Sequence, residues 1–414
     1  MLRTLFVLAG LGLTTVLTAQ HPLRSYAQDQ DAAPRAHGLD FLELNLDLNF
    51  VPDSGLVKGT VTHTFKAKRL GVESFFLDAP GIQILSLQLD NKSADFESID
   101  GGIRIPFAQS PDTSTVHSLR ISYRAKPQKG LYFIGWDDPT GRCRKQIWTQ
   151  GQGIDNRHWI PMYDSQNDKV ISEITLNFDS DFEVVSNGKL LEKKKQGNGT
   201  TRWHYRMPYP HATYLMMLGI GKYDVLEKQS ASGVPMRLLY YPEFPEQAEP
   251  TYRYSVEMFD FFEKEIGYPY PWGNYAQVPV QDFMYGAMEN TTATIFGDFF
   301  LVDNHGYHDR NYVAVNAHEL AHQWFGDLVT ARSLQHHWLQ ESFATFYNMM
   351  YEQEVFGKDH YDWKRYQAAQ SALKASEADL LPIAHTQAGT VRYYPKGAAV
   401  LHMLRHLVGR ETYN

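Results

Sequence analysis

A chain of 414 residues exceeds one core of ordinary size, so two or three domains are expected. Hydrophobic residues are 43% and charged residues 21%, the balance of a soluble globular protein, and an aromatic share of 14% supplies rings for cores and an apolar pocket. A net charge of −8 without a long Lys/Arg run argues against a nucleic-acid partner; the cluster "EKKKQ" around Lys193 sits beside "GNGT" and reads as a solvated hairpin.

The amino terminus, "MLRTLFVLAGLGLTTVLTAQ", carries Arg3, an apolar stretch from Leu5 to Leu17 and small residues ending at Ala19. That is the layout of a secretory signal peptide over residues 1–19. The stretch falls short of the about 20 residues that span a bilayer, so no stable membrane anchor is expected after cleavage. The expectation is an exported chain, periplasmic or extracellular. A single cysteine, Cys143, cannot form an internal disulfide, which suits a bacterial periplasm. Residues 20–37 are polar and read as a flexible lead-in.

Next, "FLELNLDLNFVPDSG" places Leu42, Leu44, Leu46, Leu48 and Phe50 on one face and Glu43, Asn45, Asp47 and Asn49 on the other. This predicts a half-buried strand with a turn at Pro52-Asp53. "LVKGTVTHTFKAKR" alternates likewise, and further strands are expected in "SFFLDA", "IQILSLQLD", "GIRIPF", "HSLRISYRA", "ISEITLNFD" and "DFEVVSNGKLLEKK". Residues 38–230 therefore read as an all-β saddle or sandwich. After that the texture changes. "EQAEPTYRYSVEMFDFFEKEIG" spaces Val256, Phe259, Phe262 and Ile266 near helical periodicity, with Gly267 as a stop. Helical periodicity dominates from Tyr312 onward, so residues 231–414 are expected to form an α-rich domain after the β domain.

Within that half, "HELAHQWFGD" spans His318 to Asp327 in a helix-compatible segment that Gly326 could end. Residues i and i+4 share a helix face, so His318 and His322 present imidazoles side by side, within reach of one zinc at about 2.0–2.1 Å from each nitrogen. Glu319 can take a proton from a water at such a metal. "LHMLRHL" repeats the spacing with His402 and His406, but Met403 follows the first histidine and no third ligand lies nearby, so this pair reads as structural. A hydrolytic zinc wants three protein ligands and one open position. "HHWLQESFATFYNMMYEQEVFG" carries an apolar stripe of Leu339, Phe343, Phe346 and Met350 and reads as a second helix ending near Gly357. Glu341 lies on it, with 18 residues between it and His322, and reaches the pair if the two helices run antiparallel across a short turn.

These motifs resemble the gluzincin zinc aminopeptidases, which include aminopeptidase N and leukotriene hydrolase. The family pattern, HExxH, eighteen residues, Glu, reads here His318, Glu319, His322, Glu341. "GAMEN" stands at Gly286–Asn290, and Tyr-x-Lys-Gly at Tyr394 to Gly397. The resemblance implies a β saddle followed by a thermolysin-like catalytic domain, and one Zn2+ held by His318, His322 and Glu341, with Glu319 as general base. It implies that Tyr394 donates to the oxyanion, that Glu289 holds the free amine of a peptide substrate, and that the backbone of Gly286 and Ala287 pairs with the peptide. Gln152, in "TQGQGIDNRHWIPMYD", matches the second amine-binding position, and Tyr285 would line the first specificity pocket. Asp327 replaces a common Asn; it either orients a ligand histidine or begins the next turn. Thr291 stands where Trp is frequent, and Asn348 where an acid is common. The chain ends at "GRETYN", so an incomplete catalytic domain without the family's carboxy-terminal helical domain is expected. Two other functions stay open: a thermolysin-like endopeptidase, and a non-catalytic peptide-binding protein on a peptidase scaffold.

Overall fold

The computed structural model describes residues 33–378, 381–385 and 387–413. The signal-peptide expectation and residues 20–32 of the lead-in fall outside those residues. An eight-stranded sheet forms the first layer, in the order 189–195, 200–212, 169–179, 39–51, 56–67, 117–125, 83–89 and 92–93. Only the pair Leu39–Val51 with Lys169–Asp179 is parallel; the rest of this sheet is antiparallel. Its register aligns one buried row across six strands: Tyr205, Ile174, Leu46, Val61, Ile121 and Leu87. A one-residue slip would turn that row to the outer face.

The alternation predicted from Leu42 breaks at its start. A bulge between Phe41 and Glu43 shifts the register, so Phe41 enters the core and Leu42 is only half-buried. A four-stranded sheet (183–186, 218–221, 146–150, 130–134) and a three-stranded one (74–78, 102–106, 97–99) complete the β-rich half. The "EKKKQ" segment is the exposed edge strand of a hairpin, as expected.

The second half opens with a mixed five-stranded sheet in the order 224–229, 235–240, 275–280, 293–297 and 287–288. Ala287–Met288 is its edge. Helices follow: α1 (Ala248–Tyr252), α2 (Ser255–Ile266), α3 (Val313–His322), α4 (Trp338–Phe356), α5 (Lys358–Ala378), α6 (Gly397–Val408) and α7 (Arg410–Tyr413). Gly267 and Gly357 close α2 and α4 where the sequence places stops. Gly326 does not close α3, which ends four residues earlier at His322. Nor is the link to α4 a short turn: residues 323–337 hold a bridge between Phe325 and Val329 and a 3-10 turn at Leu334–His336. The second core joins the two halves, because Trp148, Val185, Met207 and Tyr214 pack with Phe259, Leu320 and Phe346 in one cluster. Among the described residues no helix is long and apolar enough to cross a membrane.

Candidate active site

Two helices and one sheet edge converge on a small group of donors. α3 is buried along Val313, Ala317, Leu320 and Ala321, which turns His318 and His322 toward α4. The Nε2 atoms of His318 and His322 lie 3.0 Å apart. Glu341 Oε2 lies 3.2 Å from the first and 3.3 Å from the second. Three donors each about 2.0–2.1 Å from a tetrahedral ion stand about 3.3 Å apart, so the triangle already has the dimensions of a zinc site. His322 Nδ1 is 2.9 Å from the carbonyl of Phe325. A carbonyl only accepts, so Nδ1 carries the proton and Nε2 keeps a lone pair for a metal. The backbone of Phe325 therefore orients this imidazole, not Asp327, whose N–H bonds the His322 carbonyl instead. Gly326 serves the same ring: a β-carbon there would stand 3.1 Å from His322 Nδ1, at a φ of +143°.

Glu319 is buried beside the triangle, and Glu289, Glu319 and His322 form a second close set of donors. Burial, then Glu289 and Glu341, raise the Glu319 carboxyl well above its ordinary value against the pull of His322. Burial alone would also raise Glu341, but His322 and His318 hold it well below the carboxylate range. In His318 burial wins over the Glu341 bond and lowers the imidazole; in His322 the carboxylates of Glu289 and Glu341 outweigh burial and raise it. A bound cation would invert this local balance.

Tyr394 is brought in by a single π-helical turn over Arg392–Lys396, a distortion that often marks functional sites. Its ring stacks on His318 at 5.7 Å, which sets its hydroxyl near the Glu341 carboxylate. Burial first, then Glu341 and Glu289, keep it a phenol that can donate. Ser342, next to Glu341, fixes that turn by donating to the Tyr393 carbonyl at 2.6 Å. Gln152 reaches in from the N-terminal half, its amide 3.4 Å from Glu341 Oε1.

Gly286 and Ala287 lie on the sheet edge, with Ala287 paired to Phe296 on one side only. Tyr285 is 57% exposed, and its ring packs on Phe283. His402 and His406 form no site; the first is buried against Phe346 and Tyr361, the second is exposed. Asn348 is buried and donates to Glu352.

Five supporting residues escaped the sequence reading. Gln323 bonds the carbonyl of Glu289 at 3.2 Å and accepts from Thr292 N at 2.9 Å. Thr292 is held at φ +66°, unusual for a β-branched residue, and Gly188 N donates to its hydroxyl at 2.7 Å. Asn187 bonds the Thr291 carbonyl at 2.8 Å. Tyr214 and Gln340 lie behind Glu289. The one available signal was position: Gln323 and Gln340 are uncharged polar residues directly beside metal-ligand candidates.

Residues 251–414 match the model described as the peptidase family M1 domain, and residues 40–215 match the peptidase M1 N-terminal domain. The leucyl aminopeptidase of Saccharolobus solfataricus is 27% identical over 82% of this chain and 44% of its own length. The aminopeptidase N of Streptomyces lividans is 28% identical over 91% of this chain and 45% of its own. The chain thus spans under half the length of these curated relatives. An M1 zinc metallopeptidase from Deinococcus radiodurans, solved as a mutant with a Tyr-Ser-Ala substrate, shares the fold with a TM-score of 0.77 at 21% identity, covering 92% of this chain and 87% of that one.

Proposed function

The chain belongs to peptidase family M1, and on that premise we propose that it is a zinc aminopeptidase that removes the N-terminal residue of peptides. The observation that carries this reading is the donor triangle of His318, His322 and Glu341, with separations of 3.0, 3.2 and 3.3 Å. Zinc held there would act as a Lewis acid on the scissile carbonyl and lower the pKa of a water beside it.

The chain's own groups do the rest. Glu289 takes the substrate's α-ammonium, with Gln152 beside it. The edge at Gly286 and Ala287 pairs with the peptide backbone as an added strand. This register sets the first peptide bond, and no later one, at the triangle. Glu319 takes the proton of the attacking water and returns it to the leaving nitrogen. Tyr394 donates to the oxyanion of the tetrahedral carbon. Tyr285, at the exposed end of the edge, contacts the first side chain. The amino-terminal leader supports export to the periplasm or the extracellular space.

The test is hydrolysis of a chromogenic aminoacyl anilide. The expected result is activity that a chelator abolishes and zinc restores, with the N-acetylated anilide left intact. Efficient cleavage of internal bonds in N-acetylated peptides would support an endopeptidase instead, and zinc binding without hydrolysis of any peptide would support a binding protein.

A further inference from the structure

The N-terminal half sends one phenol into the base of the amine site. Tyr214, in the 3-10 turn Thr213–Leu215, is 1% exposed and lies 3.1 Å from Glu289 Oε1. Gln340, the residue before Glu341, is fully buried and places its amide nitrogen 2.6 Å from the same hydroxyl. The Gln340 oxygen accepts from the backbone N–H of Ala331 at 3.3 Å.

The direction of this chain is forced. Ala331 N–H can only donate, so the Gln340 oxygen must face it and the Gln340 amide must face the phenol. The phenol accepts from that amide, and its single proton is left for Glu289. With Oε1 engaged, the carboxylate presents Oε2. A glutamate side chain has three rotatable bonds, and a buried charge-assisted bond of this kind removes most of that freedom. Gln323 holds the backbone of the same residue, at the Glu289 carbonyl. Side chain and main chain are thus tied separately to neighbours of two metal-ligand candidates, Gln340 beside Glu341 and Gln323 beside His322.

We propose that Tyr214, backed by Gln340, is a positioning residue that sets the Glu289 carboxylate for the substrate ammonium. The N-terminal half thereby determines how strongly a free amine is preferred. The inference rests on the aminopeptidase reading, in which Glu289 is the amine anchor.

Its test compares two hydroxamates by titration calorimetry on the zinc-loaded protein: leucine hydroxamate, and 4-methylpentanohydroxamate, the same molecule without its amine. The unaltered chain should favour the amine-bearing ligand. In Tyr214→Phe that preference should fall about tenfold, the scale of one hydrogen bond to a charged group, while the Kd of the amine-free ligand holds. A chain that discriminates and a Tyr214→Phe variant that discriminates equally overturn the inference alone. Equal weakening of both ligands overturns it too, since that marks general damage. An unaltered chain that binds both ligands alike removes the amine anchor itself, and the inference with it. Should Tyr214→Phe fail to fold, Gln340→Met removes the donor behind the phenol, and an unchanged preference there is equally decisive.

Discussion

Gly397→Ala tests how Tyr394, the proposed oxyanion donor, is held. In a helix interior, alanine is favoured over glycine by about 1 kcal/mol, so in open space this change would stabilise α6. The space is closed. A β-carbon at position 397 would stand 1.7 Å from Ser342 Oγ and 2.5 Å from Ser342 Cβ. Rotating Ser342 relieves the first overlap at the expense of its 2.6 Å bond to the Tyr393 carbonyl, and leaves the second. Carbon atoms rest about 3.5–4.0 Å apart, so the start of α6 must retreat from α4 by about 1 Å. Overpacking of this order costs about 1–3 kcal/mol, and the lost hydrogen bond about 1 kcal/mol more. Less the helix gain, the net destabilisation is about 1–3 kcal/mol, a Tm lower by about 1–4 °C for a chain of this size. Tyr394, three residues away, moves with the turn, and a 1 Å displacement near the reacting atoms costs about a hundredfold in rate. Thermal unfolding and the kcat for an aminoacyl anilide read both effects. Adding Ser342→Gly should recover most of the lost Tm. A Gly397→Ala chain with an unchanged Tm and unchanged kcat would refute the close-approach argument.

Further outcomes follow from the same geometry. Glu319→Gln should lower kcat by about 10²–10⁴-fold with zinc content unchanged, and retention of activity would remove Glu319 as the base. Tyr394→Phe should lower kcat by about 10²–10³-fold with KM nearly constant; a rise in KM alone would make it a binding group. His63 is buried in the first sheet, bonded to the Pro161 carbonyl at 2.8 Å, and burial lowers its pKa to about 4. The unfolded chain then binds the extra proton first. Stability from this group is full above the unfolded pKa of about 6.5 and is lost as pH falls through about 4. Urea unfolding at pH 7 and pH 4.5 should differ less in His63→Gln, by about one proton's worth of slope, and an equal pH dependence in both chains would contradict it.

The parts legible in the sequence were those governed by one local period. Alternation exposed the strands, because one sheet face is buried and the other wet, and the stripe Leu339, Phe343, Phe346 exposed α4. The donor triangle was legible because two histidines one helical turn apart need only a third donor at the right place. Non-local register was not legible. The bulge at Phe41 is set by pairing with Phe65 and Thr64, far along the chain. The π turn carrying Tyr394 depends on Ser342 and Gly397 meeting. Tyr214 sits in an apolar run, "TYLMML", where a buried tyrosine looks like core until its hydroxyl is seen beside Glu289.

The central claim is that His318, His322 and Glu341 hold one divalent ion. Zinc measured per chain after equilibration, in the unaltered protein and in Glu341→Ala, tests it most directly. The expected result is one equivalent in the first and much less than one in the second. Stoichiometric zinc that survives Glu341→Ala, or none in the unaltered chain, would contradict it.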